Sequence, residues 1–293
     1  MQFEYCSCTH TGRVRTNNED AACLDPQHHA VLLADGMGGY NAGEVAAHMA
    51  TTGVRAELAA WMDRLPRPRA LVPQQLGGAL QTCIENTNRA IHHAALAQPQ
   101  WAGMGTTLVA AVFCSTHVVL GHVGDSRCYR LRGGSMEQLT RDHSLLQEQL
   151  DAGLITPQQA AVSSQRNLAT RALGVEASVQ VEVSQHPLHS GDLFLLCSDG
   201  LSEMLGSADL QAIAATRAPL QDKAQCLVNA ANLRGGRDNI TVLLVQAGPP
   251  PADWPALQPV AALAPLQGAQ AFSGPFVARH LRRGLIARWL GSP

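Results

Sequence analysis

Short apolar runs that end at an aspartate, or begin just after one, punctuate this chain. Val31-Leu32-Leu33-Ala34 runs into Asp35-Gly36, and Leu193-Phe194-Leu195-Leu196-Cys197 runs into Ser198-Asp199-Gly200. A third run, Ile240-Thr241-Val242-Leu243-Leu244-Val245, follows Asp238-Asn239. Runs of this length bounded by turn residues predict buried strands. The same reading predicts strands within 3–24 and at 30–36, 105–114, 117–123, 126–132, 135–139, 178–184, 191–198 and 239–246, with Gly133-Gly134 as a hairpin turn. Helices are predicted over about 41–63 and 74–97, separated by Pro66, Pro68 and Pro73, and two more over 201–233. Asn41 is the expected cap of the first, with Glu44 three residues on. Short helices and loops fill 143–173.

Strands, paired helices, strands, paired helices and a final strand do not form the regular alternation of a doubly wound sheet. They predict an α+β fold: a four-layer α/β/β/α sandwich of two mostly antiparallel sheets flanked by helix pairs. The pattern changes after Ala247, so three regions are expected: a domain over 1–247, a Pro/Ala-rich linker over 248–272 and a basic tail over 273–293. Arg279, Arg282, Arg283 and Arg288 within 276–290 suit a short helix that docks a partner or a membrane surface. The apolar residues there do not share one helical face, which favours a frayed or self-docked terminal helix.

Composition narrows the classes. With 46% hydrophobic residues, the 293-residue chain can bury a substantial core, and no stretch is long and apolar enough to span a bilayer. Met1–Tyr5 lacks the basic start of a secretory signal, so a cytoplasmic location is expected. A formal net charge of −2 and a single lysine, Lys223, argue against a nucleic-acid partner. The eight cysteines are scattered without a Cys-x-x-Cys pair, which points to buried reduced thiols and away from a zinc site. The pairs His28-His29 and His92-His93 lack metal-ligand spacing to a second cluster and are read as surface or packing residues.

The candidate chemistry lies in Asp20, Asp35, Asp199 and Asp238, all beside strand-like runs. Any one of them could be a turn or cap residue. Four with the same local setting point elsewhere. Buried carboxylates are costly unless a cation lies between them, and oxygen ligands suit Mg²⁺ or Mn²⁺. A multi-metal hydrolytic site is the expectation.

Seven segments in order resemble the metal-dependent serine/threonine protein phosphatases of the 2C family, in its bacterial branch. They are Gly12-Arg13-Val14-Arg15-Thr16-Asn17-Asn18-Glu19-Asp20, Asp35-Gly36-Met37-Gly38-Gly39, Gly105-Thr106-Thr107, Gly124-Asp125-Ser126-Arg127, the segment 167–174, Cys197-Ser198-Asp199-Gly200-Leu201 and Gly236-Arg237-Asp238-Asn239-Ile240-Thr241. The resemblance covers about residues 5–246 and leaves out the tail.

It implies that Asp20, Asp35, Asp199 and Asp238 hold two Mn²⁺ or Mg²⁺ ions, with the Gly36 carbonyl as a further ligand and Glu19 acting through water. Asp125 would share a third, weaker ion with Asp199. Arg15 would grip the substrate phosphate, a task suited to its planar fork; the alternative is a surface arginine paired with Glu19. A bridging metal-bound hydroxide would then attack phosphoserine or phosphothreonine without a phosphoenzyme. The implied partners are phosphorylated proteins, including a bacterial serine/threonine kinase.

Two departures stand out. Many eukaryotic members carry His after the Asp-Gly of the second segment as the proposed proton donor, whereas this chain has Met37. Either a metal-bound water, such as one at the Asp125 site, would protonate the leaving oxygen, or catalysis would favour better leaving groups. The second is the flap, about 143–166, which has little charge with which to select a basic peptide. Two other classes fit less well: a regulatory module without turnover, disfavoured because every expected ligand is present, and a two-metal nuclease, disfavoured by the near-neutral charge.

Overall fold

The structure is a computed structural model of the 293-residue chain, and it describes residues 1–38, 42–66, 71–161, 163, 168–250 and 254–255. A compact unit, Met1–Leu263, is distinct from Ala264–Pro293, and all that follows concerns the first. The expected Asn41 cap and the helix expected over 276–290 lie outside the described residues.

Three strands open the chain: β1 (Phe3–His10), β2 (Asp20–Asp25) and β3 (Ala30–Met37). Two long helices follow, α1 (Ala42–Asp63) and α2 (Pro73–Ala97). Next come β4 (Gly105–Thr106), β5 (Leu108–Phe113), β6 (His117–Val123), β7 (Arg127–Arg132) and β8 (Ser135–Gln138). The flap carries α3 (Leu145–Asp151) and α4 (Pro157–Ala161). The last third is β9 (Glu182–Pro187), β10 (Leu193–Cys197), α5 (Asp199–Ser202), α6 (Ser207–Ala214), α7 (Leu220–Leu233) and β11 (Ile240–Ala247).

Two antiparallel sheets result. One runs β1-β11-β10-β7-β8 and the other β2-β3-β5-β6-β9, with β4 added against the end of β3. Both faces of each sheet are covered, which explains why the strands read as unbroken apolar runs and not as alternations. Leu32, Leu108, Ala110 and Val112 pack outward against α1 and α2. Val31, Leu33, Val109, Phe113, Phe194, Leu243 and Val245 interdigitate between the sheets. Leu195, Val242 and Leu244 meet α5, α6 and α7 on the remaining face. The expected four-layer sandwich is the fold.

The differences are local. The strand expected at 178–184 lies at Glu182–Pro187, because its ladder with β6 begins at Glu182 opposite His122 and closes with Pro187, which an edge strand tolerates. Three helices replace the two expected over 201–233, the first being a single turn that starts at Asp199. Within the segment read as a linker, Trp254 is only 6% exposed and packs beside α7 with Lys223 Nζ 4.3 Å from its ring centre. Arg217 N–H donates to Pro255 O (2.5 Å). All eight cysteines are free thiols, six of them buried. His28 pairs with Asp25 at 2.9 Å and His92 lies 3.1 Å from Gly174 O, so each of these pairs has a packing role for at least one member. No helix among the described residues is long and apolar enough to cross a membrane.

Candidate active site

Ladder register brings the first two aspartates together. In the β2–β3 pair Asp20 stands opposite Asp35. The other two enter through the neighbouring strands β10 and β11: Asp199 opens α5 just beyond β10, and Asp238 lies just before β11. Ser198 joins the groups, since its Oγ–H donates to Asp20 Oδ2 (2.8 Å) and its Oγ accepts from Thr241 N–H (3.0 Å).

Close backbone packing makes this convergence possible. A Cβ on Gly200 would collide with Asn239 O, and one on Gly12, at φ +83°, would collide with Asp238 O. Gly36 and Gly43 meet face to face, so that a Cβ on Gly43 would stand 2.6 Å from Glu19 Oε2 and 2.8 Å from the Gly36 carbonyl carbon. The start of α1 is thereby seated on the end of β3.

Asn239 holds the 11–19 loop in place. Its Nδ2 donates to Thr11 O (3.0 Å) and Asn17 O (2.8 Å), and its Oδ1 accepts from Glu19 N–H (2.8 Å). Asp35 is held through Thr107, whose Oγ1 accepts from Asp35 N–H (2.9 Å). Thr106 Oγ1–H donates to Asp35 O (2.8 Å). Asn239, Ser198, Thr106 and Thr107 lie within the seven segments without an expected task. The available signal is a polar residue inside a buried apolar run, such as Ser198 and Thr107 at 0–1% exposure.

Burial and the neighbouring carboxylates govern the electrostatics. Burial first, with Asp238 adding to it against bonds from Thr241 and Ser198, pushes Asp20 up to about 6. Burial and then mutual repulsion hold Asp35 and Asp199 well above the usual carboxylate range. Asp125, in the β6–β7 turn, is the carboxylate acting most strongly on Asp199, and burial pushes it up to about 6 as well. Glu19 is raised, again chiefly by burial. Asp20 Oδ1 and Asp199 Oδ1 are buried without any hydrogen-bond partner. Orphaned, crowded carboxylate oxygens with a backbone carbonyl nearby are the donor set of a hard divalent cation, so the residues fit the implied metal.

Arg15 does not pair with Glu19. Its guanidinium bonds Asp238 Oδ2 at 2.7 Å, with the side chain 48% exposed. Met37 ends β3 paired with Gly105, one residue beyond the strand expected over 30–36.

The flap is hung from the same centre. His143 N–H donates to Gly124 O (2.8 Å), and Gly124 N–H donates to His143 Nδ1 (3.1 Å). Leu145 N–H to Leu168 O (2.9 Å) and Thr170 N–H to His143 O (2.8 Å) close its base. His122, His143 and Glu182 bring potential ligand atoms within 4.8 Å of one another. A neutral His143 that accepts at Nδ1 must carry its proton on Nε2, where it faces Glu182 Oε2 at 3.2 Å. The His143 Nδ1 lone pair is taken by Gly124 N–H, and the Arg171 guanidinium stands 3.4 Å from Nε2, where it opposes a bound cation. This trio, which sequence reasoning missed, is an anchor for the flap.

The sequence profile of the family described as Protein phosphatase 2C matches residues 9–234. A curated relative, the serine/threonine phosphatase stp of Listeria innocua, is 41% identical over 241 residues, which cover 81% of this chain and 93% of that one. The crystal structure of the Mycobacterium tuberculosis serine/threonine phosphatase PstP/Ppp superposes with a TM-score of 0.75 at 35% identity, covering 84% of this chain and 99% of that one. A second PstP structure, of its catalytic domain in complex with 2 manganese ions, is 34% identical with a TM-score of 0.71 over 84% of this chain and 99% of that one. The profile match carries Asp20, Asp35 and Asp199, sequence and fold relatives agree with it over more than 80% of the chain, and the chain belongs to the metal-dependent protein phosphatase 2C family as a serine/threonine phosphatase.

Proposed function

We propose that the reaction centre is the aspartate group, with Asp20, Asp35, Asp199, Asp238 and the Gly36 carbonyl holding two Mn²⁺ or Mg²⁺ ions, Glu19 acting through water, and Asp125 sharing a third, weaker ion with Asp199. The observation that carries this reading is the pair of orphaned buried oxygens, Asp20 Oδ1 and Asp199 Oδ1. When bound, the ions supply Lewis acidity that makes water a usable nucleophile near neutral pH and offsets charge on the phosphoryl oxygens. The protein's own part is positional. Ser198 and Thr107 fix Asp20 and Asp35, and Asn239 fixes the loop that carries Arg15.

Arg15 is assigned to the phosphate. A phosphate dianion competes with the Asp238 carboxylate for the guanidinium, so substrate entry draws Arg15 onto the ester and orients it. Met37 has no proton to give, which leaves the serine or threonine oxygen to be protonated by water. We extend the reading to a cytoplasmic signalling role opposite a bacterial serine/threonine kinase, supported by the bacterial phosphatase relatives.

The test is Mn²⁺-dependent phosphate release from a phosphothreonine peptide by wild type, Asp199→Asn and Asp238→Ala, each with and without EDTA. Loss of a ligand removes several kcal/mol of transition-state stabilisation, so each variant should fall by about 100-fold or more. Asp199→Asn should at the same time raise the Tm of the EDTA-treated protein, because it removes a buried carboxylate that repels its neighbours. Undiminished turnover in both variants would refute the assignment. Metal binding without turnover in wild type would favour the regulatory-module reading.

A further inference from the structure

Beside the aspartates two arginines stand without acidic partners. Arg13 and Arg237 are exposed, and among the described residues neither makes an ion pair; the one polar contact of the Arg13 guanidinium is Nη1 at 3.5 Å from Asn232 O. Their backbones are joined by Arg13 N–H donating to Gly236 O (2.7 Å). Both side chains lie along one dipeptide. A Cβ on Gly236 would stand 2.9 Å from Arg13 Cγ, and one on Gly235 would stand 3.8 Å from Arg237 Cγ and 3.9 Å from its Nε. Gly235 and Gly236 adopt φ of +123° and +49°, so the loop is shaped by residues that tolerate this backbone and leave room for both arginines.

The location is set by covalent geometry. Arg237 adjoins Asp238 and Arg13 is two residues from Arg15, which places their Cα atoms within roughly 4 and 7 Å of those site residues. An extended peptide advances about 7 Å per two residues, so side chains flanking the target residue reach this zone. Arg13 also lines a cavity of about 470 Å³ with Asn229, Asn232 and Leu233. Gln225 Nε2 donates to Asn229 Oδ1 (3.0 Å), so the oxygen of that amide is already engaged along α7. A guanidinium beside the stem of Leu233, with Arg237 exposed on the adjoining loop, suits an anionic side chain.

We propose that Arg13 and Arg237 form a subsite selecting phosphoproteins that carry a second negative charge, carboxylate or phosphate, within about three residues of the target. This rests on the reaction centre assigned above and adds a substrate class to it. The subsite acts on peptide affinity, not on the reacting atoms.

The test uses phosphothreonine peptides alike except two residues from the target, which carries Ala, Asp or a non-hydrolysable phosphonate analogue of phosphoserine. For full-length protein with Mn²⁺, kcat/KM for each is divided by that protein's own value for the Ala peptide. Exposed ion pairs each contribute a modest factor, so wild type should favour Asp by about threefold and the phosphonate by up to about tenfold, through KM and less strongly at high salt. The Arg13→Glu/Arg237→Glu double variant should lose or invert both ratios, and the Arg→Ala pair should bring them near one. Wild type that is active but indifferent to the flank, or a double variant that keeps the preference, overturns the subsite alone. Wild type inactive on every peptide overturns the reaction centre and the subsite with it.

Discussion

His122 illustrates a single side chain whose behaviour follows from its position in the fold. It lies in β6 at 2% exposure, its Nε2–H donates to Ser126 O (2.9 Å), and its Nδ1 has no partner. Burial, then His143 and Arg171, push its pKa down to about 3 against the Ser126 bond. A histidine depressed on folding contributes stability that is intact above its unfolded pKa of about 6.5 and is lost as pH falls toward 3. Between those values the slope approaches about 1.4 kcal/mol per pH unit for one proton. His122→Gln should therefore flatten the fall of urea-unfolding stability between pH 6.5 and 4 relative to wild type. The aspartates are common to both proteins and drop out of the difference. Equal slopes would mean that His122 is not kept neutral by the fold. Asp35 and Asp199 were legible as residues because Asp-Gly follows an apolar run, and Asp20 and Asp238 because each stands beside a strand-like run. Asn239 was not, since its task depends on Thr11, Asn17 and Glu19, more than 200 positions away.

Among elements, the junction of α1 with β3 reverses an ordinary expectation. Gly→Ala in a helix usually stabilises by about 1 kcal/mol. At Gly43 the added methyl meets backbone of Gly36 and Met37 at 2.8 Å, so α1 must lift off the end of β3. Gly43→Ala should lower the Tm and weaken Mn²⁺ binding in calorimetry; a higher Tm with unchanged binding would contradict this packing. Element boundaries were legible where an apolar run was long, as at β10 and β11. They were displaced at β9, where Val179, Val181 and Val183 alternate but hydrogen bonding to β6 decides where the strand starts. The single turn α5 left no periodic signal because four residues are too few to show one.

For the whole molecule, the described domain does not end with its last strand. Trp254 returns to the α6–α7 layer, where it joins the core and covers Lys223, whose Nζ donates to Ala214 O (2.9 Å). Truncation after Ala247 should cost about 2–3 kcal/mol, the worth of one buried large side chain, whereas truncation after Pro255 should retain it. Urea unfolding of the two truncated proteins and of Trp254→Ala tests this, and equal midpoints for both truncations would show that Trp254 contributes nothing. Two sheets buried on both faces also explain why composition alone signalled a large core.

By itself the sequence determined which carboxylates end strands, how many apolar runs had to be buried and hence the layered α+β architecture. These are local records, since each run reports only its own burial. Tertiary structure decided that Asp20 faces Asp35, that Asp199 and Asp238 arrive through neighbouring strands, and that Arg15 bonds Asp238 and not Glu19. It also placed Arg13 beside Arg237 and Trp254 against α7. Those pairings depend on ladder register and loop closure over long separations, which no periodicity within one segment encodes.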